Sequence, residues 1–188
     1  LHAGTSEAEW IISSGNTDVA MTPTQRKARR VSRYGSSTVP GIAVGNAILF
    51  VQRAGKKVRE LIYDYIQDNF GDPPDLTIFA EHVTSTGIKQ YAFQKEPDSI
   101  LWCVLNDGTV AAFTYNKAQE IMGWHTHVTD GEFESVAVIP TAMHDQVWFI
   151  VKRTIGGVEK RYVEYMAPDF GDTQADCWFV DSGLKYDG

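Results

Sequence analysis

The chain has 188 residues, 43% of them hydrophobic, and a formal net charge of −7. That is enough apolar material for a full core in one or two domains, and the acidic balance argues against a protein that coats nucleic acid over its whole surface. No apolar run approaches the about 18 residues that a membrane-spanning helix needs, and residues 1–15 lack the charged start and apolar core of a signal peptide.

Two cysteines, Cys103 and Cys177, are too few for a disulfide framework. Each lies beside a Trp in an apolar run, so both read as buried free thiols, as expected of a chain made in a reducing cytoplasm. Charge is unevenly spread: nine of the 17 positive residues fall between positions 26 and 59, which leaves the remainder acidic.

In chain order, residues 8–15 form an apolar strand closing on Gly15, read as the surviving part of an earlier unit, and residues 16–23 are rich in turn formers. Residues 25–35, QRKARRVSRYG, are the basic segment. Extended, this segment places Arg26, Ala28 and Arg30 on one side and Lys27, Arg29 and Val31 on the other, so both faces are basic. Arg26, Lys27, Arg29, Arg30 and Arg33 are therefore the candidate interface, able to meet phosphates or an acidic neighbouring subunit. A solvated edge strand protected from pairing by its charges explains the same residues.

A pattern then recurs. ILFVQRAGKKVRELIYD from Ile48, ILWCVLNDGTVAAFTYN from Ile100 and VWFIVKRTIGGVEKRYVEY from Val147 each carry a bulky apolar run, a glycine-bearing turn and a second strand with aromatic residues. Their starts lie 52 and 47 residues apart, and each is preceded by another candidate strand, at residues 41–44, 90–93 and 134–139. In the second copy, Asn106-Asp107-Gly108 reads as a type I′ hairpin turn, and residues 120–128 supply one more strand.

Four strands per unit at a period of about 40 to 50 residues predict an all-β chain, a partial β-propeller of about three antiparallel blades. The blade-like repeats span about 36–84, 88–128 and 132–166. An ordinary antiparallel sandwich with similar hairpins is the alternative architecture. Residues 57–65 also fit helical spacing, and the repeat register favours a strand there. One short inter-blade helix is expected at residues 76–83, capped by Asp75, after a break at residues 69–74. Residues 140–145 read as a loop within the third repeat, residues 167–172 as another, and residues 177–183 as a strand running into a turn.

Chemistry-bearing patterns are few. His125 and His127, at i and i+2 of one strand, point to the same face and could share a metal with His82, His144 or Asp130 as a third ligand; the default expectation is a hydrogen-bonded structural pair. There is no Gly-rich phosphate loop, GxSxG elbow or HExxH. Asp107, Asp130, Glu132 and Glu134 do not make an identifiable acid/base pair, and the Trp and Tyr supply suits packing between blades better than a sugar platform. No catalytic residue, metal or cofactor is expected.

Ala28-Arg29-Arg30-Val31-Ser32-Arg33-Tyr34-Gly35-Ser36, Gly45-Asn46-Ala47-Ile48-Leu49-Phe50-Val51-Gln52-Arg53 and Lys57-Val58-Arg59-Glu60-Leu61 resemble bacteriophage and prophage virion proteins. So do Asp75-Leu76-Thr77, Ala80-Glu81-His82, Gln94-Lys95-Glu96-Pro97-Asp98-Ser99, Leu101-Trp102-Cys103-Val104, Gly123-Trp124-His125-Thr126-His127 and Phe133-Glu134-Ser135-Val136-Ala137. The family resembled is the tail nozzle, or tubular tail protein B, of short-tailed phages, and the similarity runs over nearly the whole chain. It implies a non-enzymatic virion protein, made in the host cytoplasm, that self-associates into a ring at the tail, touches other tail proteins and transiently meets passing DNA. Both ends of the chain then read as cut from a longer polypeptide. A glycan-binding or glycan-hydrolysing propeller module is the alternative function.

Overall fold

The computed structural model describes residues 1–15, 19–64, 66, 69–167, 177 and 181–183. Among these residues fourteen strands follow one another: β1 (His2–Gly4), β2 (Glu9–Ser13), β3 (Lys27–Ser32), β4 (Ile42–Val44), β5 (Ala47–Val51), β6 (Val58–Asp64) and β7 (Asn69–Phe70) come first. Then come β8 (Ile88–Gln94), β9 (Ile100–Leu105), β10 (Val110–Asn116), β11 (Ile121–His127), β12 (Glu132–Pro140), β13 (Asp145–Ile155) and β14 (Val158–Tyr165). They form four antiparallel sheets, each a sequential meander: β1-β2-β3, β4-β5-β6-β7, β8-β9-β10-β11 and β12-β13-β14. Among the described residues there is no α-helix, only a 3-10 turn at Lys117–Gln119. The fold is all-β, and none of the sheets closes on itself.

The three sequence repeats occupy equivalent places. Ile48 lies in β5, Ile100 opens β9 and Val147 lies in β13, each on the second strand of its own sheet, with the third strand after the glycine turn. Turn chemistry differs from expectation in the middle copy. Type I′ needs positive φ at both central residues, but here Gly108 alone is left-handed, at 80°, and its N–H donates to the Leu105 carbonyl at 3.2 Å. This is a type I turn completed by a left-handed glycine, and Asp107 stays right-handed because its carboxylate is engaged with the N–H and hydroxyl of Thr109. Gly156 and Gly157, both at positive φ between paired Ile155 and Val158, supply the I′ geometry in the third copy.

The chain divides into two compact units, Leu1–Ile88 and Lys89–Gly188. The first is built on a core of Leu49, Phe50, Val51, Val58 and Leu61, all fully buried. Glu9 is fully buried beside it, opposite a bulge at Val31 of β3, where its carboxylate accepts hydrogen bonds from the Ser32 hydroxyl, the Ser36 hydroxyl at 3.0 Å and the Tyr34 N–H. Burial raises its pKa, and only the hydroxyl and amide donors and the charge of Arg59 oppose that shift. Glu9→Ala would strand those donors and open a cavity, at an expected cost of about 2–3 kcal/mol. Glu9→Gln keeps an acceptor oxygen and should lose less than half as much; equal losses in chemical denaturation would refute this account.

The expected helix at residues 76–83 is absent. Its Asp75 anchor is used differently: Arg59 and Asp75 form a bridge, the Leu76 N–H donates to the Val58 carbonyl at 2.9 Å, and the Asp75 carboxylate takes the Thr77 N–H and the Lys57 ammonium. Separate four-residue turns follow, closed by N–H bonds from Ala80 to Thr77, Val83 to Ala80 and Gly87 to Thr84. Ile78 and Phe79 are 59% and 96% exposed, whereas Thr77, Ala80 and Thr84 are the side chains held inside. The hydroxyl of Thr84 reaches the Lys56 carbonyl at 2.7 Å, a bond that ties the turn to the β5–β6 hairpin. The break expected at residues 69–74 starts later, because Asn69 and Phe70 pair with Asp64 and Tyr63. The expectations for residues 16–18, for most of residues 167–176 and for residues 178–180 lie outside the described residues.

In the second unit two meanders stack face to face. Trp102, Val104, Val110 and Ala112 from β9 and β10 pack against Val136, Val147, Phe149 and Val151 from β12 and β13. Polar stitches fix the stack. Gln90 accepts from the Ser135 hydroxyl at 2.8 Å and donates to the Val136 carbonyl at 3.1 Å; Asp145 accepts from the Lys95 and Glu96 N–H groups at 2.7 and 3.2 Å; and the Phe133 N–H donates to the Gly108 carbonyl at 2.8 Å. A Cβ on Gly108 would lie 2.8 Å from that of Glu132, so the close approach at this end also requires glycine.

Candidate functional site

The basic segment folds as β3, paired among the described residues on one side only, to β2, with Trp10 opposite Arg30 and Ile11 opposite Arg29. Lys27, Ala28, Arg29 and Arg30 are exposed, as are Arg26 and Arg33 flanking the strand core. Arg29 donates to the Asn69 side chain at 2.7 Å, on the face that β1 and β2 turn toward the β4–β7 sheet, while Arg30 shares the opposite face with Trp10, Ile12 and Ala28. A free edge strand lined with cations resists pairing with another strand and presents a sequence-independent positive stripe.

His125 and His127 are brought together on β11, opposite Ala112 and Val110, with their ring centres 5.0 Å apart. Trp102 lies beside both, its ring 5.1 Å from that of His127 and 6.3 Å from that of His125. Burial lowers the pKa of each, and the neighbouring imidazole lowers His127 further, so both are neutral at pH 7. The Trp102 indole N–H is committed to Gln94 at 2.9 Å, and His127 Nε2 is enclosed with no hydrogen-bond partner. The expected structural pair is thus held by ring packing, with no hydrogen bond at His127 Nε2. Among the described residues, no group of three or more His, Cys, Asp and Glu could hold a metal ion, so His82, His144 and Asp130 do not complete the pair.

Three of the four carboxylates weighed as acid/base candidates have separate engagements. Asp107 serves its turn, Glu132 pairs with Lys152 at 2.8 Å, and Glu134 makes a two-pronged bridge to Arg161 at 2.6 and 2.9 Å that lowers its pKa. A carboxylate held ionised in this way is poorly suited to donating a proton. Cys103 is fully buried, and burial pushes its thiol well above the usual range.

The densest polar cluster centres on Arg153, which is 6% exposed. Its guanidinium donates to both oxygens of Glu164 (2.7 and 2.8 Å) and of Asp181 (3.3 and 3.1 Å), to the Asp130 carbonyl (2.7 Å) and to the Thr129 hydroxyl (2.7 Å). Asp181 also accepts from the Thr129 hydroxyl at 2.6 Å and the Asp130 N–H at 3.0 Å. Desolvation of its carboxyl is outweighed by these bonds, which hold its pKa at about 2. An arginine in an alternating strand gives no sequence signal of this kind; only an inward position flanked by Val151 on β13 hints at it.

No known protein-family model and no curated protein matches the chain.

Proposed function

We propose that this chain is a structural component of a bacteriophage tail, a propeller segment whose parent assembles into the ring through which DNA is ejected. The observation that supports this best is the stacking of two meander sheets, β8–β11 on β12–β14, joined by an apolar core and polar stitches. Face-to-face packing of successive four-stranded meanders is how propeller blades build a ring.

The outer face of β12–β14 fits a subunit that is completed by a neighbour. Ile139, Trp148, Ile150, Val163 and Tyr165 line one half of it, with Val163 72% exposed and Tyr165 54% exposed, and the Glu132, Glu134, Lys152 and Arg161 ion pairs line the other half. An apolar centre bordered by paired charges is the usual composition of a protein interface. The cationic β3 edge supplies a site for acidic surface on an adjacent subunit, and an acidic chain overall lets DNA pass without tight binding. The Trp148–Tyr165 ring pair, with centres 5.1 Å apart, Tyr165 exposed and Trp148 half-buried, favours a glycan-binding module as the second reading.

Native mass spectrometry of the full-length gene product at several salt concentrations is the test. A discrete ring-sized oligomer is expected, whereas monomer under every condition would overturn the ring. Polysaccharide binding by that monomer would favour the second reading.

A further inference from the structure

We infer that the free edge of β3 takes up one further strand, supplied as an extended acidic peptide segment; this rests on β3 being a subunit contact and names the chain chemistry that meets it. Ile12 exchanges both of its main-chain bonds with Leu1, its N–H donating to the Leu1 carbonyl at 2.8 Å and its carbonyl accepting from the Leu1 nitrogen at 2.9 Å. Bonds alternate in direction along a strand, so Ile11 and Ser13 are the residues of β2 that bond to β3, through Arg29 and Lys27. The N–H and carbonyl groups of Ala28 and Arg30 therefore point away from β2, out of the sheet edge, and nothing among the described residues bonds to them. Lys27, Ala28, Arg29 and Arg30 are exposed in succession, so this edge is open to an incoming chain. Donors and acceptors alternating along an open edge are what an added strand pairs with.

Charge selects the occupant. Among the described residues none of Arg26, Lys27, Arg29, Arg30 and Arg33 forms an ion pair, and Arg29 gives its one bond to the Asn69 side chain. A strand added here sets one row of its side chains beside Lys27 and Arg29 and the other row beside Arg30, so both rows meet cations. The resistance that such an edge offers to neutral and basic strands reverses for a strand with carboxylates on both faces. Nucleic acid fits less well. Its phosphate oxygens only accept hydrogen bonds, so they could take the guanidinium and main-chain N–H groups but would leave the Ala28 and Arg30 carbonyls without donors. A peptide strand supplies both.

Fluorescence anisotropy of a labelled, end-blocked peptide of about eight residues, half Glu and half Thr, titrated with the whole chain, tests the site. Saturation below about 1 mM is expected at low salt, weakening several-fold as ionic strength rises from about 0.01 to about 0.15 M. Lys27→Glu combined with Arg30→Glu, at two exposed positions, should weaken binding at least about tenfold. The same peptide with Pro at alternate positions has lost main-chain donors and should bind at least about tenfold more weakly. Amide exchange in the unaltered chain locates the contact: the peptide should slow Ala28 and Arg30 and leave Lys27 and Arg29, already bonded to β2, unchanged. No saturable binding, equal affinity for the Pro peptide, tighter binding of an oligothymidylate of the same charge, or slowed exchange on another strand instead would each overturn the inference. A chain that binds the peptide yet stays monomeric in native mass spectrometry would keep the strand site and lose the ring, so the two readings fail separately.

Discussion

Replacing Arg153 by Met is expected to lower the stability of the second unit by about 3–5 kcal/mol, more than any other single surface or polar change in it. The side chain is almost wholly buried and gives hydrogen bonds to two carboxylates, a backbone carbonyl and a hydroxyl. Met fills most of the volume but leaves Glu164 and Asp181 facing each other without their shared cation. Removing one member of a buried charge cluster is therefore worse than never having built it. Arg153→Lys should not rescue the loss, since one ammonium cannot reproduce a planar fork that serves partners on three sides.

Asp181→Asn should cost less, because that side chain is half exposed, but it should remove an acid limb from the stability profile. The sign follows from its pKa of about 2, below the ordinary 3.8. A depressed carboxylate contributes stability that is complete above about pH 4 and lost as pH falls toward about 2. Urea midpoints followed by Trp fluorescence, at pH 7 and at pH 3, measure both effects. An unchanged midpoint for Arg153→Met at pH 7 would sink the account.

The hairpins were legible because their signals are local. Ile100 to Leu105 is apolar, the turn carries Asp107-Gly108, and the return strand follows at once, so the strands can be read without knowing what lies opposite. The basic strand and its alternating faces were legible for the same reason: period 2 applies whether or not a partner is present. Two-residue β7 and three-residue β1 were not legible, since Asn69 and Phe70 become a strand only through pairing with Asp64 and Tyr63.

Residues 76–83 show how a local signal fails. An acidic cap after a chain break predicts a helix, but the Asp75 carboxylate and the Thr84 hydroxyl bond to Lys57, Thr77 and the Lys56 carbonyl, and these ties hold the backbone in turns. The same limit hid Glu9 and Arg153. Apart from Glu164, 11 residues beyond Arg153, their partners are 23 to 28 residues away, and composition cannot say that Ser32 and Ser36 converge on one carboxylate or that Asp181 returns to β13. The histidine pair sat between these cases: its spacing was local and readable, whereas the tryptophan beside it and the enclosed nitrogen were set by the fold.

Phe149→Ala is expected to cost about 3–5 kcal/mol, and its contrast with a neighbour on the same strand tests how the sheets are used. Phe149 points into the stack, 4% exposed, with its ring 5.0 Å from Phe133 and 6.1 Å from Trp102, the latter edge-on. Truncation there loses buried apolar area, leaves a cavity that two packed sheets cannot collapse, and breaks two aromatic pairs. Ile150, one residue on, points to the opposite face and is 39% exposed, so Ile150→Ser should change the stability of the isolated chain by no more than about 0.5 kcal/mol. If that outer face is where a neighbour packs, the same Ile150→Ser change in the full-length product should abolish oligomers while the urea midpoint of the isolated chain stays put. Equal destabilisation by both substitutions would mean that the two faces are buried alike, and the division into a stacked face and an open face would fall.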